Sequence, residues 1–153
     1  MALGGSPEDI RLAARRVRAH AQDVDAVAAR VRSGQGVTWV GTAAERYRER
    51  LREHARAIET TRGHVDDLAV RLDELAGDLE ERQRAVARAT DAVEDVLSSA
   101  RSTLGRLAGV VRDELTDAER QAEDAARAVL DTVREPPPLG HPDWLDVARR
   151  LGR

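Results

Sequence analysis

The sequence predicts an all-α fold, an elongated antiparallel helical hairpin of coiled-coil type with a return helix and a Pro-rich C-terminal tail. Three observations carry this expectation. Only 41% of the 153 residues are hydrophobic and Phe is absent, so burial rests on Leu, Val, Ile and Ala, which suit close contact between helices better than a thick globular core. Charged residues make up 35% of the chain, interleaved with apolar residues at helical spacing. Two long runs of that spacing are separated by a glycine-bearing stretch.

The first helix is expected over residues 7 to 33. Ser6 is placed to accept from free amides, Pro7 suits the first helical position, and Glu8 and Asp9 complement the helix dipole. Steps of four and three from Ile10 give Ala14, Val17, Ala21, Val24, Ala28 and Val31, all apolar, as in a seam between paired helices. Gly34 and Gly36 then supply the backbone freedom of a reversal, and the turn is expected over 34 to 42.

The second helix is expected from about residue 43. Its seam reads Ala44, Tyr47, Leu51, His54, Ile58, Thr61, Val65, Leu68, Leu72, Leu75 and Leu79, and continues through Val86, Val93 and Ala100. The first helix spans about 40 Å at about 1.5 Å per residue and leaves the seam beyond Leu72 uncovered, so a return helix or another chain has to pack there. Two breaks are expected as alternatives. One lies near 98 to 105, giving a return helix long enough to cover the rest of the seam. The other lies near 113 to 117, where Thr116-Asp117-Ala118-Glu119 has the form of a capping box. Residues 81 to 135 are read as this helical extension. Pro136, Pro137 and Pro138 end it, because proline lacks an amide donor and disfavours a helical predecessor. Residues 136 to 153 form a linker and a short amphipathic segment, with Trp144, Leu145 and Leu151 as candidate docking residues. That segment either folds back on its own chain or serves as a docking peptide for a groove.

Composition narrows function. Acidic and basic residues nearly balance at a net charge of -3 and alternate along the chain, which disfavours nucleic acid as a partner. No run approaches the roughly 18 apolar residues of a membrane span. With no Cys and four scattered His, neither a thiolate nor a helical di-metal pattern is present, and Ser98, Ser99 and Ser102 lack a nearby His. No enzymatic activity, cofactor or metal is expected. His54, on the seam, is either a satisfied side chain or a pH-sensitive pairing position.

The most specific local pattern is Trp39-Val40-Gly41, lying between two heptad-patterned helices and followed by the small-residue start Thr42-Ala43-Ala44 and by Tyr47. Over residues 5 to 80 the chain resembles the Trp-X-Gly, ESAT-like family of small type VII (ESX) secretion substrates. The resemblance implies a hairpin with Trp39 and Gly41 in its turn, residues 1 to 80 forming that unit, and pairing as a homodimer or as a heterodimer with another small helical protein of this kind. The secretion ATPase or a larger effector is a further implied partner, and a secreted or cell-envelope location is implied. Trp39 serves there as a core plug, a partner contact, or both. The chain departs from the family in length and in lacking Tyr-X-X-X-Asp/Glu, since Tyr47 is followed by Leu51. A partner therefore has to bring the export signal, or the chain stays inside as a cytoplasmic adaptor or chaperone. The pairing seam is assigned to Val17, Val24, Val31, Tyr47, Leu51, Ile58, Val65, Leu68, Leu72, Leu75 and Leu79.

Overall fold

A computed structural model describes residues 5–36, 38–111 and 114–153. Among them the chain is all-helical: α1 is Pro7–Ser33, α2 is Thr42–Leu107, α3 is Asp117–Thr132 and α4 is Trp144–Arg150, with a 3-10 turn at Gly34–Gly36. The residues form two compact units, Gly5–Leu79 and Glu80–Arg153, and α2 contributes to both. Val37 in the expected turn and Asp113 at the edge of the second expected break lie outside the described residues.

In the first unit, the Ser6 hydroxyl accepts from the Asp9 amide at 3.3 Å and Pro7 occupies the first turn of α1. The helix ends at Gly34, whose amide donates to the Arg30 and Arg32 carbonyls. Ion pairs tie α1 to α2: Arg18 to Asp73, Asp25 to Arg62 at 2.8 Å, and Arg32 to Glu59 at 3.3 Å. As the α1 number rises the α2 number falls, so the two helices run antiparallel. Burial is greatest at alanines, Ala14, Ala21 and Ala28 on α1 and Ala44, Ala55, Ala69 and Ala76 on α2. A methyl side chain lets two backbones approach closely, and the larger residues Val17, Val24, Val31, Leu51, Ile58, Val65, Leu72 and Leu79 line the same contact half-buried.

Within this arrangement the seam read on α2 divides. Beside the Leu51-to-Leu79 column, the buried column is the one four residues on, with Ala55, Ala69 and Ala76. The one three residues on, with His54, Thr61, Leu68 and Leu75, is exposed. Tyr47 belongs to that same outer column and is 41% exposed. The physical reason is the partner: α1 presents alanine every seventh residue, and alanine facing alanine allows a separation that leucine would prop open.

In the second unit, α2 ends at Leu107, and α3 begins behind the capping box at Thr116. The Thr116 hydroxyl accepts from the Glu119 amide at 3.3 Å, while the Thr116 amide donates to the Glu119 carboxylate at 2.8 Å. α3 has only 16 residues, fewer than the return helix that a break near 98 to 105 would give. The C-terminal segment covers the difference. Trp144, Val147 and Ala148 of α4 join Val133 and the α2 residues Val86, Ala89, Val93 and Leu97 in one apolar core, with Val129, Leu130 and Leu151 at its margin.

Candidate functional site

At the turn between α1 and α2 the sequence and the geometry meet most closely. Gly41 has φ of +108°, a conformation that side chains with a Cβ rarely adopt, and its carbonyl accepts from the Glu45 amide at 3.1 Å to start α2. Trp39 lies edge-on to Tyr47, with ring centroids 5.5 Å apart and planes at 70°. Its carbonyl accepts from the Arg48 guanidinium at 2.5 Å. The stretch is thus held at two points, by its ring and by its backbone, while the indole stays 47% exposed and Val40 89% exposed. Gly34 closes the other side of the turn: a Cβ there would meet Leu51 Cδ1 at 3.2 Å.

The antiparallel pair has two unlike flanks. On one, the residues directly after the seam carry the charges that cross between helices: Arg18, Asp25 and Arg32 of α1, and Glu59 and Asp73 of α2, with Arg62 bridging from Asp25 to Asp66 at 3.6 Å. Such exposed pairs contribute little each, but they close that flank with polar groups. On the other flank no such ladder is present among the described residues. There lie Val27 at 47% exposure, Leu68 at 49% and Leu75 at 52%, on the same column of α2 as Tyr47. Trp39, Val40, Tyr47, Leu68, Leu75 and Val27 are the exposed apolar residues of this unit that belong to the turn or to its open flank.

Of the pairing seam read from the sequence, Val17, Val24, Val31, Leu51, Ile58, Val65, Leu72 and Leu79 are therefore engaged within the chain, and Tyr47, Leu68 and Leu75 face outward. The signal that could have separated Leu68 and Leu75 is the position of the charges, since Val17, Val24, Val31, Ile58 and Leu72 are each followed by an acid or base that pairs across the helices, whereas alanine follows Leu68 and Leu75.

In the second unit the tail residues divide. Trp144 is 4% exposed and Leu151 half-buried, whereas Leu145 is 37% exposed. The indole Nε1–H donates to the Pro138 carbonyl at 3.0 Å, and that same carbonyl accepts from the His141 amide at 3.0 Å. The proline run that stops α3 thus supplies the acceptor a buried indole needs. A groove of about 400 Å³ in this unit is lined by Gln83, Val86, Ala87, Thr90, Asp91, Leu139 and Gly140. Its single carboxylate and lack of a histidine suit apolar contact better than acid–base chemistry.

Among the described residues no cluster of His, Asp and Glu could hold a metal ion, and no helix is long and apolar enough to cross a membrane. The pKa shift at Glu119 is structural. The Thr116 hydroxyl, and after it the Thr116 amide, hold the Glu119 carboxyl below the usual glutamate value. Comparison with family models, curated protein sequences and solved structures returns no match.

Proposed function

We propose that the chain is a non-enzymatic type VII secretion-associated substrate, or the partner of one, acting by helical pairing with a second copy or a sister protein. The observation that carries this reading is the Trp39-Val40-Gly41 turn, with a half-exposed indole that leads onto an apolar flank bearing Tyr47, Leu68 and Leu75. A lone antiparallel pair buries only its inner stripes. An open flank with large apolar side chains at heptad spacing gains by packing against further helices.

Two further features support the reading. Charge on the opposite flank is consumed in cross-helix pairs, which directs association to the open side. The positive φ of Gly41 and the Arg48 contact to the Trp39 carbonyl set the backbone of the turn while the indole stays half exposed. A competing adaptor would need a holding surface along α2, with Leu72, Leu75, Leu79, Val86 and Val93 as its large apolar residues. Val86 and Val93 are 2% and 0% exposed, and only Leu75 of the five is fully outward.

The deciding experiment compares culture filtrate with cell lysate for the tagged chain in its native host, with and without the secretion ATPase. Appearance in the filtrate only when the ATPase is intact supports the proposal. Retention in both strains, with a clean lysis control, refutes export and turns the assignment to the intracellular adaptor.

A further inference from the structure

The apolar stripe of α2 in the second unit is longer than the helix that closes it. Val86, Ala89, Val93, Leu97 and Ala100 are all buried and lie three or four residues apart over about 21 Å, the spacing with which one helix receives another along its length. α3 lies against this core with Val129 and Leu130, and α4 supplies Trp144, Val147 and Ala148. With seven residues α4 spans only about 10 Å. Its segment crosses the stripe instead of following it. Leu139 and Gly140 share a groove with Ala87 and Asp91, and Arg153 shares another with Ala92 and Asp95. Ala87 directly follows a stripe residue and Ala92 directly precedes one, so the two grooves lie on opposite sides.

The segment also carries its own polar bonds. Trp144 Nε1–H donates to the Pro138 carbonyl, the Asp143 amide donates to His141 Nδ1 at 3.3 Å, and Arg149 pairs with Asp146 at 2.9 Å, all within residues 136–153. Thr90, which shares the Leu139 groove, donates its hydroxyl to the Val86 carbonyl of its own helix at 3.0 Å. Lifting the segment exposes apolar surface and breaks none of these bonds. Between Val86 and Ala100, α2 carries three acids, Asp91, Glu94 and Asp95, against one base, Arg88. The three acids are exposed and make no ion pair among the described residues. From the mismatch in length and the excess of acid we propose that residues 136–153 are a displaceable clasp, and that a basic amphipathic helix of a partner displaces them. That helix lies along the stripe, its apolar residues on Val86, Val93 and Leu97 and its basic residues toward Asp91 and Glu94. The inference concerns the second unit alone and does not depend on the secretion reading.

Designed helical peptides of about 21 residues test this, with Leu at the two apolar positions of each heptad and either Arg or Glu at the flanking ones. In the full chain carrying Trp39→Phe, Trp144 is the only indole left. The Leu/Arg peptide is expected to shift its emission to the red in a saturable titration, as the segment lifts and the indole meets water. The Leu/Glu peptide, and an Arg peptide with Ser in place of Leu, are expected to leave the emission unchanged. The Trp144→Ala chain, its helix content checked by circular dichroism, is expected to bind labelled Leu/Arg peptide about tenfold more tightly than the parent, because the clasp no longer competes. Absence of binding, binding without a red shift, or an equal response to the Leu/Glu or Ser/Arg peptide overturns the proposal. So does equal affinity in a folded Trp144→Ala chain. If Trp144→Ala loses its helices, the Trp39→Phe titration decides by itself.

Discussion

Replacing Trp144 with alanine removes the largest side chain of the second unit's core. The indole is 4% exposed and packs in the cluster with Val86, Val93 and Leu97. Burying about 200 Å² of aromatic surface at about 25 cal/mol per Å² corresponds to about 5 kcal/mol, an upper bound because the unfolded chain already covers part of it. Trp-to-Ala changes in cores cost about 3–5 kcal/mol, which agrees. Trp144→Phe separates the two contributions, since it keeps most of the area and loses the Nε1–H bond to the Pro138 carbonyl, at a cost of about 1 kcal/mol. Urea unfolding followed by circular dichroism gives the stabilities, and hydrogen exchange of the amides of 86–97 shows whether α2 is uncovered locally. If Trp144→Ala stays within about 1 kcal/mol of the parent and exchange over 86–97 is unchanged, the C-terminal segment is not part of that core and the account of α2's coverage fails.

Other expectations follow from the packing and caps. Ala14→Leu forces a branched side chain into a fully buried inter-helix position and should lower stability by about 1–3 kcal/mol in thermal unfolding. Gly41→Ala places a Cβ at φ +108° and should cost about 1–2 kcal/mol, read by the same method, although open space surrounds the position. Thr116→Ala removes the N-cap of α3 and should cost about 1 kcal/mol near neutral pH. Because the folded-state pKa of Glu119 is lowered, its contribution is complete above the unfolded value and is lost as pH falls through the folded one. The penalty of Thr116→Ala should therefore shrink below about pH 4.5, which denaturation series at several pH values will show.

Helix starts and stops were the most legible features in the sequence, because a cap is written in a few adjacent residues. Ser6-Pro7 opens α1, and Thr116 with Glu119 opens α3. Length alone could not choose between the two breaks before α3, because it does not say how much of Val86 to Leu97 the residues beyond the prolines cover. On α1 the apolar periodicity fell where burial falls, since the valine and alanine columns are unbroken while the next column, Ala13, His20 and Val27, is interrupted by His20. On α2 two columns competed for the inner face. Hydrophobicity favours Leu68 and Leu75 over Ala69 and Ala76, but the distance between backbones favours alanine, and that distance is a property of the pair. The turn motif was local and therefore visible, while the edge-on packing of Trp39 against Tyr47 depends on how α2 leaves the turn.

The two tryptophans fall one to each compact unit and in opposite surroundings, Trp39 half in solvent and Trp144 enclosed. The chain thereby contains two intrinsic optical channels. Excited together, the enclosed indole should emit to the blue of the half-exposed one, and replacing either with phenylalanine isolates the other. Binding at the turn and loosening of the C-terminal core can then be followed in one cuvette, without a label, as changes at different wavelengths.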